Sequence, residues 1–127
     1  SDFVSRDACY GGFGKEFVVL AQDRDIRKIE DMTNEQLETV YKWCLLADNK
    51  NGAAACIINA MSSLYWGGEN KRDAAIRFCN VVSDVHYQIS CFMNLIKAVS
   101  FYINDDTYRK EFCNEIPNTY LRDCRKS

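Results

Sequence analysis

The stretch C-N-V-V-S-D-V-H-Y-Q-I-S-C, residues 79–91, decides the fold when set beside C-N-E-I-P-N-T-Y-L-R-D-C, residues 113–124. Both open with a cysteine followed by asparagine (Asn80, Asn114). Both carry a tyrosine four residues before the closing cysteine (Tyr87, Tyr120). A third segment, C-L-L-A-D-N-K-N-G-A-A-A-C at residues 44–56, has the same span as the first. Cys44 to Cys79 is 35 residues, as is Cys56 to Cys91, and the next steps are 34 and 33. A period near 34 is that of a helix–turn–helix unit repeated along the chain.

The flanking residues follow the same period. Each first cysteine comes after a large aromatic: Trp43, Phe78 and Phe112. Cys56 and Cys91 open apolar stretches, I-I-N-A-M-S-S-L-Y-W and F-M-N-L-I-K-A-V-S-F-Y, with Asn59 and Asn94 at one offset. Cys9 fits as the second cysteine of an earlier hairpin. The chain therefore divides into a half repeat at 6–22, a charged insertion at 23–32, repeats at 33–67 and 70–103, and a truncated repeat at 106–127. On this reading the array is expected to continue beyond the chain.

Breakers and caps predict an all-α fold of stacked antiparallel helical hairpins. There is one proline, Pro117, and there are six glycines in 127 residues, so little interrupts long helices. Expected helices run from about Arg6 to Gln22, from a Thr33/Gln36 capping box to about Ala47, and from Ala53 to Trp66. They continue from an Asn70 cap to about Ser83, from Val85 to Tyr102, from N-D-D-T at 104–107 to just before Pro117, and onward from Asn118 or Thr119. Apolar residues such as Leu37, Val40, Tyr41, Cys44 and Leu45 keep the helical period.

Seven cysteines and one histidine do not suit a metal site. No two cysteines lie closer than Cys113 and Cys124, and C-x2-C spacing is absent, so no metal or cofactor is expected. A disulfide framework in an oxidising, extracytoplasmic compartment accounts better for the count, with buried free thiols as the alternative. Counting leaves many pairings open, and the repeat selects local ones: Cys44–Cys56, Cys79–Cys91 and Cys113–Cys124. Each cysteine then lies about one helical turn from the centre of its turn, where facing side chains meet a disulfide's Cα separation. Each bridge closes a loop that contributes about 3 kcal/mol on the chain-entropy model. Cys9 is expected to be unpaired within this chain.

Composition narrows the function only coarsely. A net charge of −2 offers no field for nucleic acid, and no apolar run reaches the ~20 residues of a membrane span. The first residues do not read as a leader peptide. The run C-Y-G-G-F-G-K-E at 9–16 lacks phosphate-loop spacing and a preceding strand. Its small residues are expected to admit a neighbouring helix. His86, in a hairpin turn near Asp84, has no nucleophile beside it. Asp23, Asp25, Glu30 and Asp31 sit among Arg24, Arg27 and Lys28, as on a solvated face, while Asp105 and Asp106 sit where a helix start favours them. No catalytic residue is expected. The candidate binding residues are Tyr65, Trp66, Phe101 and Tyr102, at the ends of two second helices. They read either as a ligand or peptide groove or, more readily, as core between repeats.

The period and these offsets resemble the tetratricopeptide and Sel1-like repeat superfamily over Met32 to Cys124. The tetratricopeptide W-x2-L-G-x2-Y pattern is missing, and no functional residue carries over. The paired cysteines resemble those of disulfide-linked Sel1-like proteins secreted by bacteria, at a different spacing. The resemblance implies a non-enzymatic scaffold for a protein or peptide partner. A small secreted helical carrier, holding an apolar ligand in its core, is the alternative.

Overall fold

A computed structural model describes residues 13–21, 32–67 and 72–127. Cys9, the Asn70 cap and the charged residues 23–31 lie outside the described residues. The described residues form α1 (13–21), α2 (Asn34–Cys44), α3 (Lys50–Gly67), α4 (Arg72–Val81), α5 (Val85–Tyr102), α6 (Asp106–Glu115), a 3-10 turn (Asn118–Tyr120) and α7 (Leu121–Lys126). No strand occurs among them.

Short polar side chains set the helix starts by taking up the N–H groups that a first turn leaves without partners. Thr33 accepts from the Gln36 N–H at 3.1 Å, and the Gln36 side chain accepts from the Thr33 N–H at 2.9 Å, a closed capping box. Asp84 accepts from the His86 and Tyr87 N–H groups, and Asp105 from those of Thr107 and Tyr108. The structure moves two expected boundaries. The α3 helix begins at Lys50 rather than Ala53, because Asn49 accepts from the Gly52 N–H at 2.7 Å and caps a turn that looks like loop in sequence. The α2 helix ends at Cys44 rather than Ala47, where the Leu45 N–H closes it onto Tyr41 and Lys42 carbonyls.

Three disulfides join the hairpins: Cys44–Cys56, Cys79–Cys91 and Cys113–Cys124, with Cα separations of 5.4, 5.6 and 5.7 Å. Each first cysteine sits in the last turn of its helix. Disulfides of this kind form and persist in an oxidising environment.

Helix neighbours follow a simple order. The α2 helix packs against α3 and α4, α3 against α4 and α5, and α4 against α5. In the first two hairpins the first helices, α2 and α4, thus lie side by side, as do the second, α3 and α5. Leu37, Val40, Ile57, Leu64, Phe78, Phe92 and Leu95 fill the space between them, and all are fully buried. Polar ties cross between hairpins as well. The Arg77 guanidinium donates to the Met32 carbonyl at 2.7 Å and to Asn34 at 3.0 Å, while the Tyr41 hydroxyl accepts from the Asp84 N–H at 3.3 Å. Within the second hairpin, Gln88 donates to the Cys79 and Asn80 carbonyls near the end of α4.

Gly14 carries the close approach expected of the glycine-rich run. A Cβ at this position would lie 2.1 Å from the Cys56 carbonyl oxygen and 2.8 Å from the Ala60 nitrogen, both backbone atoms of α3. Gly14→Ala is therefore expected to destabilise the fold by about 1–3 kcal/mol through overpacking. At an open helical position the same change would stabilise by roughly 1 kcal/mol. Urea denaturation distinguishes the two signs, and a gain in midpoint would contradict the packing of α1 on α3.

Candidate functional site

Helices α3 and α5 lie side by side and leave a shallow open groove of about 830 Å³. Ile58, Met61, Ser62 and Trp66 line it from α3, Asn94, Lys97, Ala98, Ser100, Phe101 and Tyr102 from α5, and Ser127 after α7. The cysteine register explains why aromatics recur here. Trp66 follows Cys56 by ten residues, and Phe101 follows Cys91 by ten. Successive residues on a helix point about 100° apart, so Trp66 faces out where its neighbour Tyr65 faces in.

The structure accordingly divides the four aromatics. Tyr65 is 0% exposed and belongs to the core, whereas Trp66, Phe101 and Tyr102 are 42%, 79% and 62% exposed. Their rings form a chain of edge contacts. Tyr65 and Trp66 lie 4.8 Å apart, Trp66 and Tyr102 5.1 Å, and Phe101 and Tyr102 4.9 Å, at interplanar angles of 80°, 88° and 66°. Edge-to-face pairs at this range are attractive beyond their buried area. They hold the exposed rings in place without covering them. Lys97, one turn before Phe101, is the groove residue that sequence reasoning passed over. The i, i+4 spacing was its one available signal.

A polar cluster ties the third hairpin to the first and the second. The Tyr65 and Tyr108 hydroxyls lie 3.0 Å apart. Arg72 sits 4.5 Å over the Tyr108 ring and donates twice to Glu115 at 2.7 Å, and once to Glu111 at 3.2 Å. Burial, with the Tyr108 hydrogen bond, pushes the Tyr65 phenol well above its ordinary range. The hydrogen bond from Arg72 holds the Glu115 carboxyl below the usual carboxylate range. No repeated offset marks Arg72 and Glu115, which lie 43 residues apart. They do not show in the sequence pattern.

Other residues singled out in the sequence fall into supporting places. His86 is exposed in the first turn of α5, and Asp84 bonds its backbone N–H rather than its ring. Among the described residues, no three His, Cys, Asp or Glu side chains gather as metal ligands. No described helix is long and apolar enough to cross a membrane. A small apolar cavity of about 150 Å³ lies beside Cys44–Cys56, between Phe13, Phe17 and Trp43. A more polar cavity of about 450 Å³ lies beside Cys113–Cys124, lined by Asp106, Arg109, Lys110, Asn114 and Arg125. No family model, curated protein or solved structure matches the chain.

Two outcomes follow from this geometry. Glu115 has a depressed folded value, so its contribution to stability is present above its unfolded value near ~4.3 and is lost as pH falls through the folded value. Glu115→Gln is expected to be less stable than the native chain at about pH 6, with the gap closing towards about pH 3. Urea midpoints across that range test it, and a constant gap would contradict the pair. The second outcome concerns reduction. Cys113 and Cys124 are each 6% exposed, against 1% or less for the other four bridged cysteines. Three cations beside them favour attack by an anionic thiolate and stabilise the thiolate released. Graded reduction with alkylation is expected to open Cys113–Cys124 first. Earlier loss of either other bridge would contradict this.

Proposed function

We propose that the chain is a non-enzymatic, extracytoplasmic helical-repeat domain that binds a protein or peptide along the groove between α3 and α5. The observation that carries the reading is the groove itself: open, formed by two neighbouring second helices, and edged by three exposed aromatics whose positions are fixed by ring contacts. Exposed Trp and Tyr side chains on a preorganised surface suit a binding hot spot, because little side-chain freedom remains to be lost on association. The helix neighbour pattern supports stacked hairpins of the tetratricopeptide and Sel1-like kind. The three disulfides support export to an oxidising compartment. The carrier alternative calls for an enclosed apolar cavity of roughly 300 Å³ or more. The apolar cavity beside Cys44–Cys56 has about half that volume.

Selection of random displayed peptides on the oxidised protein tests the proposal. The chain has two tryptophans, so Trp43→Phe leaves Trp66 as the sole indole reporter in the groove. Selected peptides are expected to change Trp66 emission. They should lose about tenfold or more in affinity against a Trp66→Ala/Phe101→Ala variant that keeps its helical spectrum, the loss typical of hot-spot truncation. Peptides that bind equally to that variant, or a selection that yields none, would overturn the reading.

A further inference from the structure

We propose that the groove takes an acidic peptide segment, in which a carboxylate pairs with Lys97 and a nearby apolar side chain seats among Trp66, Phe101 and Tyr102. This inference rests on the peptide-binding reading and names the partner's chemistry.

Charge is sorted unevenly along the chain. Of 18 acidic residues, none lies in Lys50–Gly67 or in Val85–Tyr102. Six lie in first helices: Glu35 and Glu38 in α2, Asp73 in α4, and Asp106, Glu111 and Glu115 in α6. Burial accounts for the missing acids at inward positions but not at outward ones. The exposed residues of α5 are Val85, His86, Ile89, Lys97, Phe101 and Tyr102. A helix face that meets only water ordinarily mixes both signs of charge. This one presents large apolar groups and a cation.

Lys97 is the one Lys or Arg among the described residues that line the groove. Arg72 and Arg77 are held in ion pairs with Glu115 and Asp73. Lys97 is exposed, lines the groove, and has no carboxylate within pairing distance among the described residues. Among the described residues no Asp or Glu side chain lines the groove, and Ser127, after α7, lines its edge.

Spacing then constrains the partner. Lys97 and Phe101 are four apart on α5, so their Cβ atoms lie about 5–6 Å from each other. In an extended peptide, side chains two residues apart share a face and are separated by roughly 6.5–7 Å. An acid-x-aromatic segment therefore matches the cation and the ring cluster together. A second copy of this chain matches poorly, because a two-fold contact through this patch brings Lys97 close to Lys97.

Two labelled probes test the inference by fluorescence polarisation. One peptide carries two Glu-Ser-Phe units, and the other carries two Lys-Ser-Phe units in the same frame. The acidic probe is expected to bind about 3–10-fold more tightly, with the advantage shrinking in added salt. Lys97→Glu, a change at an exposed position, should reverse the preference. Equal binding of the two probes, or a preference that Lys97→Glu leaves unchanged, overturns the acidic-partner inference and leaves the groove in place. Binding of neither probe up to about 1 mM, a Kd worth only about 4 kcal/mol, also overturns it. The peptide selection described above then decides the scaffold reading separately.

Discussion

A covalent bridge one turn from each helical reversal is the constraint on which the rest of the structure depends. Two short antiparallel helices cannot bury their apolar faces by themselves. Holding their Cα atoms at 5.4 to 5.7 Å beside the turn fixes the separation and rotation of each pair. Each closed loop removes freedom from the unfolded chain worth about 3 kcal/mol on the entropic model. That is a large share of a stability of about 5–15 kcal/mol typical of a native domain. With each pair fixed, Phe78, Phe92 and Phe112 enter the core. The outward rows of α3 and α5 are thereby placed side by side.

Much of this was legible in the sequence, because local chemistry decided it. The 12- and 11-residue cysteine spacings are matched by the bridges found. The limits of α5, Val85–Tyr102, agree with the periodicity and the turn before it. The Thr33/Gln36 box closes as its residues suggest. The start of α3 was less plain. D-N-K-N-G has the composition of a turn, and only the bond from the Gly52 N–H to Asn49 turns half of it into helix. Helix phase was hidden too. Tyr65 and Trp66 are adjacent and similar in sequence, and neighbouring helices decide which is buried. Long-range polar ties such as Arg72–Glu115 and Arg77–Met32 follow no period, so no pattern announces them.

Division of labour between the two kinds of helix gives the candidate site its character. The first helices α2, α4 and α6 carry acids and the ion pairs of Arg72 and Arg77. Second helices carry small and apolar residues, with Asn59 bonding the Lys15 N–H of α1 and Asn94 bonding the Ser90 carbonyl within α5. The α3 and α5 pair, without an acidic residue and edged with fixed rings, has little to gain from water. It has more to gain from a partner that supplies apolar surface and negative charge.

Non-reducing peptide mapping of the folded chain reads the three bridges themselves. Three linked peptides are expected, Cys44 with Cys56, Cys79 with Cys91 and Cys113 with Cys124. A Cys44–Cys79 link, or all seven thiols free, would contradict it.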